Sequence, residues 1–418
     1  MNINQFSWVS GNMTAIIRSA AVSIGPAAAP QHMLKWPLAA GKTSVPCQRS
    51  DTFQKCRWNG KTRVLGFMGM ICLCFLIRLQ GYAAAQETSP TPHTVLGIKQ
   101  ARFTLNGQPT FLLGISYYGA LGAPEEFIRR DLDDLQRHGF NWLRVWATWS
   151  AFDHDVSAVD ARGAPREPYL GKLQWFVSEC DRRGLIVDVT LTRNQQSTKR
   201  ASSGGLADFP AHERAVETLI NALRQHRNWY LDLANERDVR DARYVSPAEL
   251  KSLRDLARRL APDLLVTASF GGHDLTESDV REALVIIGQD FLSPHRPRNP
   301  KSPSQTEAQT RDCLALAKAV HGVAPMHYQE PFRRGYEPWQ PTADDFLTDL
   351  RGALAGGAAG WCFHNGSERA SQDNQPRRSF DLRAKRLFDQ LDPEEQKVVS
   401  GAKMVIRNTA ASRPEPLR

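Results

Sequence analysis

The sequence predicts an α/β chain folded as a (β/α)8 TIM barrel with a short N-terminal β-hairpin. Three features lead there: eight short apolar runs rich in β-forming residues, a helically periodic stretch after each, and an Asn106-Gly107 turn between two apolar stretches ahead of the first. Strands that alternate with helices must pair in parallel, because each crossover helix carries the chain back to the same edge of the sheet. Eight such units over roughly 290 residues suit a closed barrel in one domain. A doubly wound open sheet would place a Gly-rich phosphate loop after the first strand, and "SYYGALGAPEE" contains no G-x-G-x-x-G.

In order, the expected strands are Phe111–Tyr118, Trp142–Trp149, Leu185–Thr192, Trp229–Glu236, Leu264–Phe270, Leu284–His295, Ala324–Glu330 and Ala359–Asn365. The helical stretches are 123–139, 171–184, 212–226, 246–262, 276–284, 304–322, 342–357 and, after the last strand, "RAKRLFDQL" at 383–391. Several open on Ser, Thr or Pro and stop at Gly, as helices do. The hairpin "ARFTLNGQPTFLLG" precedes the first strand, so the barrel is expected over 101–402, with a disordered tail over 403–418. Residues 86–100, beginning "QETSPTP", read as a linker.

Residues 1–85 form a separate leader. Within it "KTR", the apolar run Val64–Ile77 and "AAA" before Gln86 have the order of a secretory signal over about 61–85, with cleavage expected after Ala85 and export to the periplasm or the extracellular space. The run is short for a spanning helix, so a membrane would be met only through an uncleaved signal. The leader also holds nine Lys or Arg against one acid, Asp51, so most of the formal charge of +9 belongs to it. From Gln86 onward the chain is nearly neutral, which removes the argument for a nucleic-acid partner. Four of the seven cysteines are in the leader; Cys180, Cys313 and Cys362 are widely spaced and read as small buried hydrophobes, with no disulfide framework or Cys-rich zinc pattern.

Barrel enzymes build their sites at the C-terminal strand ends. The fourth strand ends in Asn235-Glu236 and the seventh in Glu330, within "MHYQEPF". These strands lie on opposite sides of the mouth, so two carboxylates would face one another there. Glycoside hydrolysis needs such a pair, one to protonate the leaving oxygen and one anionic on the far side of the sugar carbon. Arg144 lies mid-strand among apolar residues and needs a carboxylate partner: Glu330 is the candidate, with Asp188 and Asp232 as structural alternatives. Tyr117, Tyr118, Trp146, Trp149 and Trp361 fall at strand ends, whereas Trp142 and Trp229 open their strands and should pack at the bottom. His273, His295, His327 and His364 fall near upper strand ends, but no H-E-x-x-H accompanies them. Asp290 and Arg193 read as rim charges.

Asn-Glu after strand four, Glu after strand seven, an Arg on strand two and a Trp on strand eight resemble the clan A glycoside hydrolases, in particular the cellulase-like enzymes of family 5, over about Ala101 to Gly366. The resemblance implies a retaining enzyme for β-linked oligo- or polysaccharides, without a cofactor. It makes Glu236 the acid/base and Glu330 the nucleophile. Asn235 would bond the sugar 2-hydroxyl, Arg144 would hold the nucleophile, and Trp361 would form the sugar platform, with His295 beside the cleft. Tyr328 would supply the tyrosine at the nucleophile. The segments "YQEPFR" and "SPHRPR" depart from the family pattern, which leaves subfamily and sugar open. The alternatives are a non-catalytic carbohydrate-binding barrel and a metal-dependent barrel hydrolase.

Overall fold

The structure, a computed structural model, describes residues 93–152, 154–191, 205–239, 244–334, 339–365 and 380–411. The expected leader and signal, residues 86–92 of the linker, Arg193 and residues 412–418 lie outside them. Among the described residues, no helix is long and apolar enough to cross a membrane.

Order begins before the expected boundary at 101. Strands β1 (Leu96–Lys99), β2 (Arg102–Leu105) and β3 (Gln108–Thr110) form an antiparallel sheet in that order, with β2 and β3 flanking the Asn106-Gly107 turn. Both turn residues have positive φ, 50° and 80°. The Asn106 side chain also accepts from the Val95 N–H at 2.7 Å, and this contact recruits the extra strand out of the expected linker.

The barrel strands are β4 (Leu112–Ser116) and β5 (Trp142–Trp146), then, after a small antiparallel pair β6 (Ser150–Ala151) and β7 (His154–Asp155), β8 (Ile186–Thr190), β9 (Trp229–Asp232), β10 (Leu265–Thr267), β11 (His327–Tyr328) and β12 (Gly360–Phe363). All barrel pairs are parallel, in the order β10-β9-β8-β5-β4-β12-β11. Residues 290–295 close the ring between β10 and β11. On one side the His295 N–H donates to Phe270 O at 3.1 Å, and on the other the His327 N–H donates to Leu292 O at 2.8 Å.

That stave is shorter than the expected Leu284–His295. Residues Glu282–Ile287 are π-helical and continue a short helix, burying Ala283, Leu284 and Ile287 while leaving Val285 and Ile286 half-exposed. A short apolar run carries no periodicity that separates strand from buried helix.

The helices are α1 (Glu125–His138), α2 (Tyr169–Arg182), α3 (Phe209–Leu223), α4 (Pro247–Leu260), α5 (Glu277–Arg281), α6 (Ser302–Val320), α7 (Ala343–Gly356) and α8 (Pro393–Ala411). Ser246, Thr276 and Thr342 start α4, α5 and α7 with reciprocal capping boxes, and Gly139 and Gly357 end α1 and α7 in left-handed geometry. The last helix is displaced from its expected place. "RAKRLFDQL" keeps only a 3-10 turn at Leu387–Asp389, because Asp131 of α1 accepts from the Leu387 N–H at 2.9 Å and Arg386 pairs with Asp134. A capping box between Asp392 and Glu395, at 2.9 Å in both directions, starts α8 instead, and the helix runs past the expected boundary at 402 to Ala411.

Side-chain alternation divides the core. Leu112, Trp142, Ile186, Tyr230 and Cys362 point into the barrel, where Phe103 from β2 meets Phe291 edge-on at 5.0 Å and covers the lower end. Trp142 therefore sits at the bottom as expected, while Trp229 belongs to the outer layer against the helices. Cys180, Cys313 and Cys362 are buried and unpaired. Gly114 is required by the inner packing, since a Cβ there would lie 1.8 Å from a Trp142 ring carbon. Gly114→Ala should destabilise the barrel by about 1–3 kcal/mol through overpacking. A melting temperature lowered by several degrees is the expected result.

Candidate active site

The site is built around a cation at the barrel axis. Arg144, on β5, is fully buried, and a guanidinium removed from water must meet acceptors on all sides. Its Nη1 donates to Glu330 Oε1 at 2.9 Å, and its Nη2 donates to Asp232 Oδ2 at 2.8 Å and to Asn235 Oδ1 at 3.1 Å. Its Nε donates to Thr190 Oγ1 at 3.1 Å and lies 3.2 Å from Asp188 Oδ2. All three carboxylates weighed as its partner are thus present at once. Burial pushes Asp188 up to about 8 against the pull of Arg144, with the charge of Asp232 adding to the rise. The Asp188 oxygens also accept from Thr190 Oγ1 at 2.9 Å, the Tyr230 hydroxyl at 3.0 Å and Gln329 Nε2 at 2.9 Å, so the second carboxylate beside the cation is itself fully partnered.

Glu330 follows β11 and is 4 % exposed. Besides Arg144, it accepts a short hydrogen bond from the Tyr118 hydroxyl and one from Arg298 Nη2 at 3.0 Å. Burial raises its pKa, but His295, Arg144 and Arg298 outweigh that and hold it well below the usual carboxylate range.

Glu236 lies four residues beyond β9 with φ at +49°, a left-handed backbone unusual for a non-glycine residue. That turn lifts the side chain from the strand into the mouth, and its N–H donates to Ser269 Oγ at 3.1 Å. His295 Nδ1 stands 3.3 Å from Glu236 Oε1 and 3.4 Å from Glu330 Oε2. Its Nε2 lies 3.3 Å from Arg144 Nη1, which can only donate, so Nε2 accepts and Nδ1 presents its proton to the glutamates. Burial opposes ionisation of Glu236, and the hydrogen bond from His295, with Arg298 behind it, lowers its pKa below the usual value.

The structure thus brings together Glu236, Glu330, Asn235, Arg144 and His295. It excludes two expected members. Tyr328 points outward, where its hydroxyl meets Thr310 of α6 at 2.7 Å. Trp361 is fully buried and its Nε1 donates to Asp349 of α7 at 2.6 Å, so it is no sugar platform. Both corrections follow from the two-residue period of a strand: His327, Gly360 and Cys362 face inward, so Tyr328 and Trp361 between them must face the helices.

Tyr118 is the tyrosine beside Glu330. Counting inward from Ser116 would have found it, since Tyr117 then points out, to Asp131 of α1 at 2.8 Å. Arg298 carried no such signal. Its Nη2 reaches Glu330 and also lies 3.6 Å from Glu236 Oε1. His364 sits behind Tyr118, with Arg333 Nη1 2.9 Å from its Nε2, and burial holds it well below its usual pKa. His273 pairs with Asp238 and Asp279, His327 lies below the site beside Trp142, and Asp290 binds Arg258.

Glu236, His295 and Glu330 offer one ligand atom each within 4.8 Å of one another, a spacing a metal ion could use. However, guanidinium donors already occupy the Glu330 oxygens, and His295 presents a proton where a metal needs a lone pair. This donor set suits proton chemistry better than cation binding.

No protein-family model matches the sequence, and no curated protein is detectably similar to it in sequence. Solved structures share its fold. An endo-1,4-β-mannanase from Rhizomucor miehei is 13% identical with a TM-score of 0.54, over 75% of this chain and 99% of that one. A family 5 glycoside hydrolase from Bacteroides vulgatus is 13% identical with a TM-score of 0.54, over 73% and 69%. A family 5 enzyme from Streptomyces cattleya, solved with GlcNAc, is 16% identical with a TM-score of 0.51, over 74% and 82%. The chain therefore shares its (β/α)8 barrel fold with these glycoside hydrolases.

Arg144→Met leaves buried carboxylates without their cation and should cost about 3–5 kcal/mol, measured by urea unfolding. Arg144→Lys should recover only part of this, because an ammonium cannot span Glu330, Asp232 and Asn235 together. Unchanged stability in the methionine variant would contradict a central role for Arg144.

Proposed function

We propose that the chain is a retaining glycoside hydrolase acting on a β-linked glycan, with Glu330 as nucleophile and Glu236 as acid/base. The observation that carries this reading is the approach of the two carboxylates, with an oxygen of each within 4.8 Å of the other across the mouth. Retaining enzymes hold this pair at about 5 to 5.5 Å, whereas inverting enzymes leave about 6.5 to 9.5 Å for a water.

The surroundings divide the roles. Glu330 has Arg144, Arg298 and Tyr118 as donors, which keep it anionic and fixed for attack. Glu236 is the more exposed of the two, with its side chain at 14% against 5%. In the first step a Glu330 oxygen bonds to the anomeric carbon, the glycosidic C–O bond breaks, and the leaving oxygen takes the proton of Glu236. In the second step Glu236 removes a proton from water as its oxygen attacks the same carbon, and Glu330 departs as a carboxylate.

The mannanase among the structural neighbours supports a β-linked substrate, which is where the proposal stops short of naming the sugar. A merely sugar-binding barrel would not need a carboxylate held by three donors opposite a second one. Export through the segment at 61–85 belongs to the same proposal.

Glu236→Gln and Glu330→Gln should each lower kcat/KM on the best of a panel of β-glycans by about 10²-fold or more, with melting temperatures close to the parent. Proton NMR of the first product should show the β anomer. Full activity in either variant, or an α anomer first, would overturn the assignment.

A further inference from the structure

We propose that Arg298 is a positioning residue for the glutamate pair: it clamps both carboxylates in the free site, and an entering sugar must draw Glu236 away from it before the acid can take up its proton. The clamp stands on geometry alone; its release rests on the reaction proposed above.

One nitrogen makes both contacts. Arg298 Nη2 lies 3.0 Å from Glu330 Oε2 and 3.6 Å from Glu236 Oε1, and the side chain is only 15% exposed. The loop that carries it is braced on both sides. Before it, the His295 N–H donates to Phe270 O at 3.1 Å and Arg296 Nε donates to Asp274 Oδ1 at 2.9 Å. After it, the Lys301 N–H donates to Asn299 Oδ1 at 2.9 Å and the Asn299 N–H donates to Ser302 Oγ at 3.3 Å. Pro297 restricts the backbone between. A rim arginine would sample solvent, whereas this one is delivered to the space between two acids.

The chemistry sets a conflict. A guanidinium shared by two carboxylates favours the state in which both are ionised, yet glycosidic cleavage starts with one of them protonated. The groups facing Glu236 include His295, Arg298 and Glu330; those facing Glu330 also include Arg144, Tyr118 and His364. Arg144 and Tyr118 serve Glu330, so Arg298 is the guanidinium shared by the pair. Removing its charge leaves His295 to hold Glu236 down against burial and the negative Glu330. An opposite charge at this range lowers a carboxyl by about 1 to 3 units, so its loss should raise Glu236 by about one unit or more.

The test is a carbon-13 NMR titration of the full chain labelled at glutamate carboxyls, with the two resonances assigned through Glu236→Gln and Glu330→Gln. In Arg298→Met the Glu236 midpoint should rise by about one unit or more, and Arg298→Lys, which keeps the charge, should return part of the shift. Arg298→Gln makes the same comparison if the methionine variant does not fold. A Glu236 midpoint unchanged without the arginine would overturn the clamp. With a hydrolysed glycan in hand, the alkaline limb of kcat/KM, which reports the free enzyme, should lie below that of kcat, and Arg298→Met should bring the two together. Coincident limbs in the parent would overturn the release step. A shifted titration in a chain that hydrolyses no glycan would keep the clamp and sink the glycosidase reading, while hydrolysis with an unmoved titration would sink the clamp alone.

Discussion

A guanidinium buried at the barrel axis is the constraint from which the rest of the site follows. Arg144 has no solvent to satisfy it, so β8, β9 and the ends of β9 and β11 must each deliver an acceptor to one small volume. Three segments distant in sequence are thereby held in register with β5, and Glu330 is one of the groups so held. The same contact that makes the cation tolerable keeps the carboxylate anionic. Stability and chemistry share an ion pair here, which is why the site lies on staves and not on loops alone.

Below this layer the barrel is apolar and closed by Phe103, and above it the polar groups multiply toward the mouth. The gradient has a physical consequence. Asp188, deepest among the acids, is pushed toward its neutral form, while Glu330, reached by two guanidiniums and a phenol, is pushed toward its ionised form. Two carboxyls on one arginine are thus driven apart by charge: Asp188 meets neutral donors besides Arg144 and has Asp232 beside it, whereas Glu330 meets a second guanidinium.

Much of this was legible in the sequence, and the failures have a common origin. Alternation of strands and helices identified the barrel, and the strand ends pointed to Asn235, Glu236 and Glu330 because a polar cluster ending an apolar run has no packing purpose. The assignments of Tyr328 and Trp361 failed where family likeness was followed without counting inward and outward positions; the side chains next to them, His327 and Cys362, already fill the interior. Leu284–Ile287 could not be assigned from its apolar run, since a π-helical turn and a stave bury similar residues. Arg298 was invisible for a different reason. Its role depends on where a braced loop delivers a side chain, and neither composition nor spacing encodes that.

The most direct measurement of the central claim is mass spectrometry of the protein after exposure to 2-deoxy-2-fluoro-β-glycosyl fluorides of the manno and gluco series, which form glycosyl-enzymes that release slowly. The account predicts a single fluoroglycosyl adduct on Glu330, in the peptide that contains "YQEPFR". Hydrolysis of the matching glycan with no adduct, or with the adduct on another residue, would contradict it.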